Sequence, residues 1–597
     1  MYVKVTRSGP RRYVQLVESY RDAEGKVKQR TIATLGRLDQ MDGSLDSVIG
    51  GLMKVTGREA PAPTAPPTVT FESTRALGDL WALQELWNTL GFSELARTFG
   101  KTRHQIDVEA LIRIMVFNRL CDPESKLGAL RWLQTVAFPG LNPATVTHDH
   151  LLRAMDALMD HQAAVDAVVA KLLRPLIDQE LSVVFYDMTT IRADGQSDQA
   201  GDIRQFGMAK EGLIARQVML GVVQTGDGLP IYHEVFAGNT AESPTLLPTL
   251  KTVLERFPSI RRVVLVADRG LLSLDNLDAL SEIRLDRGEP LEFVLAVPGR
   301  RYSEFTELLQ PFHDTHCVAA TAETVGELPW RNLRLVVTHN PHVASEAQAS
   351  RREKIKALEE QAAAWVGKLD AQDAGVKARG KKLSDSGAKA RLYHAVKDAH
   401  LAHIFRVDLK NELFAYEINQ AALDLAELMD GKLLLVTNTP DLSPKSVVDR
   451  YKSLADIERG FRVLKSEIEI GPVFHRLPER IKAHASICFM ALILYRIMRF
   501  KLKAAKNALS PERALDSLRR IQHHRIQLNG ENPVEGISTI TDEQAKVFQA
   551  LGVKKPAASQ LRIPTQTGQS FRRNLDTDSE ANWTPIPTES GQPKVIS

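Results

Sequence analysis

Cysteine is nearly absent: Cys121, Cys317 and Cys488 are the only three in 597 residues, and they lie far apart. Such spacing builds neither a thiolate metal motif nor a redox pair, and a reducing cytoplasm is the compartment that fits. An excess of charge of one sign is missing as well. Lys and Arg number 77 against 73 Asp and Glu, a net charge of +4. That balance neither demands nor excludes a nucleic-acid partner, so any binding face has to be a local patch. Long hydrophobic runs are also lacking. The longest, Ala485–Tyr495, is too short to span a bilayer and is closed by Arg496, so a buried helix is expected there. The opening residues, Met1-Tyr2-Val3-Lys4-Val5-Thr6-Arg7, carry no apolar signal core.

What is present is an ordinary globular composition, 43% hydrophobic and 25% charged, in a chain too long for one core. Alternating residues over 13–20 and 28–35, around Asp22-Ala23-Glu24-Gly25, predict a small β-hairpin module at 1–58 with a basic face. Pro61, Pro63, Pro66 and Pro67 mark a stiff linker at 59–72. Helical periodicity over 73–177, as in Val108-Leu111-Ile112-Met115-Val116, predicts a helical domain. DNA binding and simple packing are both open for it, with Lys101, Arg103, Lys126 and Arg131 punctuating its connections.

Strands then take over at Ser182–Tyr186, Val218–Val223 and Ile231–Phe236, the last two joined through Thr225-Gly226-Asp227-Gly228, a good hairpin signal. A helix at about 243–256, a strand Val263–Ala267, a helix near 274–284 and a strand Phe293–Val297 follow. Three strands, a helix, a strand, a helix and a strand describe a mixed α/β sheet over 178–298, in an order resembling the ribonuclease-H fold. The pattern breaks over 299–431, where a strand at Leu333–Val337 precedes a long charged helical tract at about 345–400. That tract is either an antiparallel arm, a DNA-facing surface or a solvated face. Strand character returns at Leu433–Val436, with helices at about 445–468 and 479–504 completing a second part of the core over 432–505. Residues 506–597 form a C-terminal region whose tail, after about 555, is expected to be disordered.

Three acids stand out in this layout. Asp187 and Asp268 each end an apolar run, and Glu458 sits in the expected helix. A carboxylate just past a buried strand is held rigidly at a sheet edge, where hard cations and phosphates can be met by oxygen ligands. Phosphodiester cleavage needs an activated water and a stabilised leaving oxygen, which two divalent ions roughly 3.5–4 Å apart supply together. In this reading Asp187 bridges both ions while Asp268 and Glu458 each hold one. Singly, each acid is better explained by a surface or capping role, but two acids that each end an apolar strand within one mixed sheet are harder to explain that way.

Further segments sharpen the pattern. Tyr186-Asp187-Met188-Thr189-Thr190, Gln217-Val218-Met219-Leu220-Gly221, Gly228-Leu229-Pro230-Ile231, Gly238-Asn239-Thr240, Val266-Ala267-Asp268-Arg269-Gly270 and Thr437-Asn438 followed by Tyr451, Glu458 and Lys465 resemble the DDE-type transposases of bacterial insertion sequences. The group it resembles carries a Tyr-Arg-Glu-Lys signature and an insertion before the catalytic Glu. The resemblance implies binding of terminal inverted repeats, cleavage at the element ends by hydrolysis, and joining of the 3′-hydroxyls to target DNA. It also implies two Mg²⁺ ions per site, replaceable by Mn²⁺, double-stranded DNA as partner, a homodimer in the DNA complex, no membrane, and a bacterial, nucleoid-associated location.

The signature is incomplete, because Leu454 stands where the group has Arg. Arg450, Arg459 and Arg462 are the neighbouring substitutes, Arg459 the weaker because it lies about 100° round the helix from Glu458. Tyr451 and Lys465, seven residues either side of Glu458, share its face on a continuous helix. They are expected to meet DNA phosphates together with Arg459, Arg462 and His475. His475 and His484 resemble a recurrent His pair that either faces DNA or positions the helix. Arg300-Arg301-Tyr302 and Lys377-Arg379-Lys381-Lys382 are either DNA contacts or solvated charge, and Asn239-Thr240 and Arg269-Gly270 are expected to shape loops. A non-catalytic DNA-binding relative and a stand-alone nuclease are the rival readings.

Overall fold

Two compact units divide the chain, Met1–Thr70 with Ile526–Pro533, and Phe71–Arg525 with Val534–Ser597. The computed structural model describes residues 1–40, 45–57, 68–100, 107–139, 141–177, 182–195, 201–208, 214–268, 274–285, 288–376, 383–410, 413–556, 586–587 and 593–594. Most of the expected disordered tail, most of the linker, Lys101, Arg103, Arg269-Gly270 and Lys377–Lys382 therefore lie outside the described residues.

In the first unit the expected hairpin is the core of a three-stranded antiparallel sheet, β1 (Tyr2–Ser8), β2 (Arg11–Arg21) and β3 (Val27–Arg37). The alternation of Val3 and Val5 opposite Leu16 and Val14 supplies the extra strand. The β2–β3 turn works as its residues suggest. Asp22 Oδ1 accepts from Glu24 N and Lys26 N at 3.1 and 2.9 Å, and Gly25 takes φ +76°, a conformation that favours glycine. Within these strands Val14 and Val17 are buried, so cross-strand pairs such as Arg30–Glu18 at 2.7 Å carry much of the specificity.

The second unit begins within β4 (Val69–Ala76), so strand replaces the last residues of the expected linker. Its helical part, residues 77–173, packs around Trp87, stacked on Phe92 at 4.4 Å with its indole donating to Glu109 Oε1 at 2.7 Å. Then come β5 (Ser182–Arg192), β6 (Gln205–Met208), β7 (Ile214–Thr225), β8 (Pro230–Ala237), β9 (Val263–Ala267), β10 (Glu292–Ala296), β11 (Thr324–Trp330), β12 (Leu333–His339), β13 (Phe405–Val407), β14 (Tyr416–Ile418), β15 (Lys432–Thr437), β16 (Gln522–Leu528) and β17 (Val534–Ile537). Strands β5, β9 and β10 run parallel, and β7 and β8 add antiparallel on the far side of β5. The order β8-β7-β5-β9-β10 is the ribonuclease-H arrangement expected. All five residues of β9 are buried, as parallel strands covered on both faces require.

One feature differs from expectation. The sequence pattern puts β11 and β12 inside the insertion, but they extend the central sheet, because β12 pairs with β15 and β15 with β10. The tract beyond them is two helices, Pro341–Asp373 and Asp385–Asp398, folded back on each other with Gln372 bonded to Leu383 N at 2.8 Å. Ile355, Leu358 and Ala362 meet Leu392, Val396 and Phe405 in a separate hydrophobic cluster. The longest apolar run lies where predicted, in the helix Pro478–Ala504. That helix is apolar enough to cross a membrane, yet 94% of its apolar window is buried in the protein.

Candidate active site

Asp187 owes its position to β5. The strand does not end at Tyr186, as its apolar run suggested, but continues through Met188-Thr189-Thr190-Ile191 to Arg192. Those residues pair with β7 from Gly221 back to Gln217, and Thr189 and Thr190 are buried. Their hydroxyls are thus interior to the sheet. Asp187 is mid-strand and half-buried, with Oδ1 accepting from Met188 N at 2.7 Å. Its neighbour Tyr186 is anchored by a 2.7 Å bond between its hydroxyl and Thr245 Oγ1, and burial pushes the phenol up to about 12.

Asp268 follows β9 as expected and is exposed. The parallel register pairs Tyr186 with Ala267, so Asp187 and Asp268 are the next residues on adjacent strands. Spacing between neighbouring strands is about 4.8 Å. Two carboxylates this close on one edge make a hard oxygen donor set of the kind Mg²⁺ and Mn²⁺ take.

The third motif is not one helix. Helix Pro444–Lys452 stops, Ser453 and Leu454 turn, helix Ala455–Arg462 follows, and residues 463–467 form a π turn. Ser453 Oγ bonds back to Asp449 O at 3.0 Å, a local bond that competes with helix continuation. Tyr451, Glu458 and Lys465 consequently sit on three successive segments. Tyr451 nonetheless reaches the acid edge. Its hydroxyl donates to Asp268 Oδ1 at 2.7 Å, a contact the sequence did not suggest. Glu458 is exposed on the middle segment, and Lys465 is half-buried in the π turn.

The structure thus joins Asp187, Asp268 and Tyr451 at one edge. It does not gather all three acids: among the described residues no group of three or more His, Cys, Asp or Glu is placed to hold a metal ion.

The remaining candidates divide by position. Arg450 points toward Arg262 and Glu292 at the opposite end of β9 and β10, where burial lowers its pKa, so it does not stand in for the missing Arg. Arg459 lines a cavity of about 570 Å³ with Arg496, Arg499, Lys501 and Lys503 beside the turn after β7. Because Thr225 pairs with Val184, that cavity is also at the wrong end of β5 for the acids. Arg462 is exposed and is the substitute left, while Leu454 packs against the core. His475 is half-buried with its ring 5.8 Å from His484, and both line a cavity of about 410 Å³. In the Arg300–Tyr302 cluster, Arg301 is paired with Glu304 at 2.8 Å and Tyr302 is buried. Thr240 N bonds to Ala237 O at 2.9 Å, which makes Asn239-Thr240 turn chemistry. Asn438 acts structurally, its amide bridging Phe293 N and Leu291 O at 2.8 and 2.9 Å and so fixing the end of β15 to β10.

With this geometry in place, two family models match the chain. Residues 178–494 match the transposase DDE domain, just over half of the 597 residues. Residues 3–64 match the N-terminal domain of IS1634 family transposases. No curated protein matches the chain.

Proposed function

The chain belongs to the DDE-type transposases of insertion sequences, metal-dependent enzymes acting on DNA, and from that premise we propose that Asp187, Asp268 and Glu458 are its catalytic acids. The observation that carries this reading is the register that sets Asp187 beside Asp268 on parallel strands. The protein binds the terminal inverted repeats of its element as a homodimer, cuts at the ends and joins the freed 3′-hydroxyls to target DNA. Both steps are in-line attacks on phosphorus, so one site serves both. The three acids would hold two Mg²⁺ ions, which when bound activate the attacking oxygen and stabilise the leaving one.

The chain's own residues set up that chemistry. Asp187 contributes a carboxylate fixed by the β5–β7 ladder. Tyr451 holds the carboxylate of Asp268 in one orientation. Glu458, exposed on the middle segment of the third motif, would supply the third carboxylate to the cations. Lys465 and Arg462 meet backbone phosphates, and with Leu454 in the Arg position the Tyr-Arg-Glu-Lys grip on the DNA end is shared differently from the group's pattern.

The test is a duplex bearing the native element end, incubated with the protein in Mg²⁺, in Mn²⁺ and in EDTA. Nicked and joined products are expected with either metal and neither product in EDTA. Nicking without joining in both metals would leave a simple nuclease.

Tyr451→Phe probes the bond that ties the third motif to the second acid. Outer-shell partners of metal ligands typically matter by about 10–100-fold. The half-saturating metal concentration for cleavage is expected to rise about 10-fold with thermal stability unchanged. An unaltered metal dependence would make the bond incidental.

A further inference from the structure

A cavity of about 410 Å³ lies where the helix Val108–Cys121 and the start of the helix Lys126–Thr135 meet the segment 469–484. Two cations in its wall are almost wholly withdrawn from solvent, Arg119 at 5% exposure and Lys126 at 7%. Arg119 Nη1 donates to the carbonyls of Ile468 and Glu469 at 3.3 and 3.1 Å, while its Nε has no partner. Lys126 Nζ lies 3.4 Å from His484 Nδ1, and His484 Nε2 lies 2.9 Å from Ile470 O. The carbonyl requires a proton on Nε2, so Nδ1 accepts from the ammonium and the ring is neutral.

Carboxylates do not compensate these charges. Glu124 and Glu469 line the cavity, yet among the described residues neither forms an ion pair with Arg119 or Lys126. Glu124 is instead folded over Gly128 at the start of its helix. Burial, and then Arg119, lowers Lys126 to about 7, and burial lowers His475 to about 4. Buried charges are ordinarily paired, and a wall that sets Arg119, held by carbonyls alone, beside a lysine whose charged form lacks a carboxylate is the complement of an anion.

We propose that this cavity binds a phosphate group of the bound DNA backbone, with Lys126 and Arg119 donating to its oxygens. The DNA source rests on the function proposed above. The position suits it. Val473, in the cavity wall, is bonded to the end of β5 through Arg192 O and Asp194 N, both at 2.9 Å. That end is five residues beyond Asp187, roughly 16 Å along the strand, a distance a short run of duplex covers. The sequence displayed Lys126 as one basic residue among several, and a lone cation on an apolar helix face was the signal to be read.

Lys126→Met in the full chain tests the proposal in two ways. The wild-type thermal midpoint is expected to rise in sodium phosphate relative to sodium chloride of equal ionic strength, and the variant is expected to lose that increment. In DNA binding by anisotropy, the slope of log K against log salt is expected to fall by about 1 in the variant, and Lys126→Arg is expected to restore it. Without ligand, the variant is expected to melt close to the wild-type midpoint, since a buried charge is removed together with its bond to His484 Nδ1. A lower midpoint would make Lys126 structural and overturn the proposal, as would an unchanged phosphate increment. Loss of the increment with an unchanged DNA slope would overturn the assignment to DNA in favour of free phosphate. Because binding is read without cleavage, these failures stay separate from failure of the catalytic assignment.

Discussion

Asp187→Asn, Asp268→Asn and Glu458→Gln are each expected to lower strand cleavage by about 10³-fold or more while leaving binding of the element end intact. Each replacement conserves volume and removes one negative charge. The fold has little reason to respond. Asp268 and Glu458 are exposed, an asparagine at 268 still accepts from the Tyr451 hydroxyl, and one at 187 still accepts from Met188 N. What is lost is the anionic oxygen a divalent cation needs, since a neutral amide is a far weaker ligand for a hard ion. Asp227→Asn is the internal control, an exposed acid at the β7–β8 turn, and is expected to cleave as wild type. The measurement is the initial rate of nicking at saturating DNA, with melting curves for each variant. A variant that cleaves at near the wild-type rate removes its residue from the centre.

The largest expected stability effect lies near the far end of β5. Arg204 has a fully buried side chain, and its Nε and Nη2 grip Asp202 at 3.0 and 2.8 Å while Nη1 reaches Asp194 O at 3.2 Å. The guanidinium holds the Asp202 carboxyl below the usual carboxylate range, so the acid stays charged inside the protein. Arg204→Met leaves that carboxylate with the backbone N–H of residue 204 at 2.9 Å and the longer contact to Arg216 at 3.5 Å, and no close cation. Removing one partner of a buried pair costs about 3–5 kcal/mol. A thermal midpoint lower by several degrees is expected, with partial recovery in Arg204→Met combined with Asp202→Asn. A midpoint within a degree of wild type would show that the pair is not needed for the fold.

Much of this architecture was legible from residue pattern. β9 is a short, wholly apolar run closed by an acid, and the order of strands and helices around it led to the observed sheet. The inner half of β5 was readable for the same reason. Its outer half was not, because the apolar run stops at Tyr186, and the strand beyond it is set by pairing with β7, which buries Thr189 and Thr190. The break at Ser453-Leu454 depends on a hydroxyl turning back on its own backbone, which seven-residue spacing does not register. Strands β11 and β12 joined the central sheet only through β15, about 100 residues later in the chain. The Tyr451–Asp268 bond joins positions 183 apart, and the buried Arg119–Lys126 pair acquires meaning only from the segment 469–484. Periodicity finds elements; it does not find which distant side chains they bring together.

The central claim is that one carboxylate, remote in sequence and separate from the aspartates in the structure, completes their metal site on DNA. Cleavage and joining of a native element end by wild type and by Glu458→Gln in Mg²⁺, resolved on a denaturing gel, test it most directly. The account predicts nicked and joined strands with wild type, and a bound but uncut end with the variant. Equal cleavage by both proteins, or an end that wild type binds and never nicks, would contradict it.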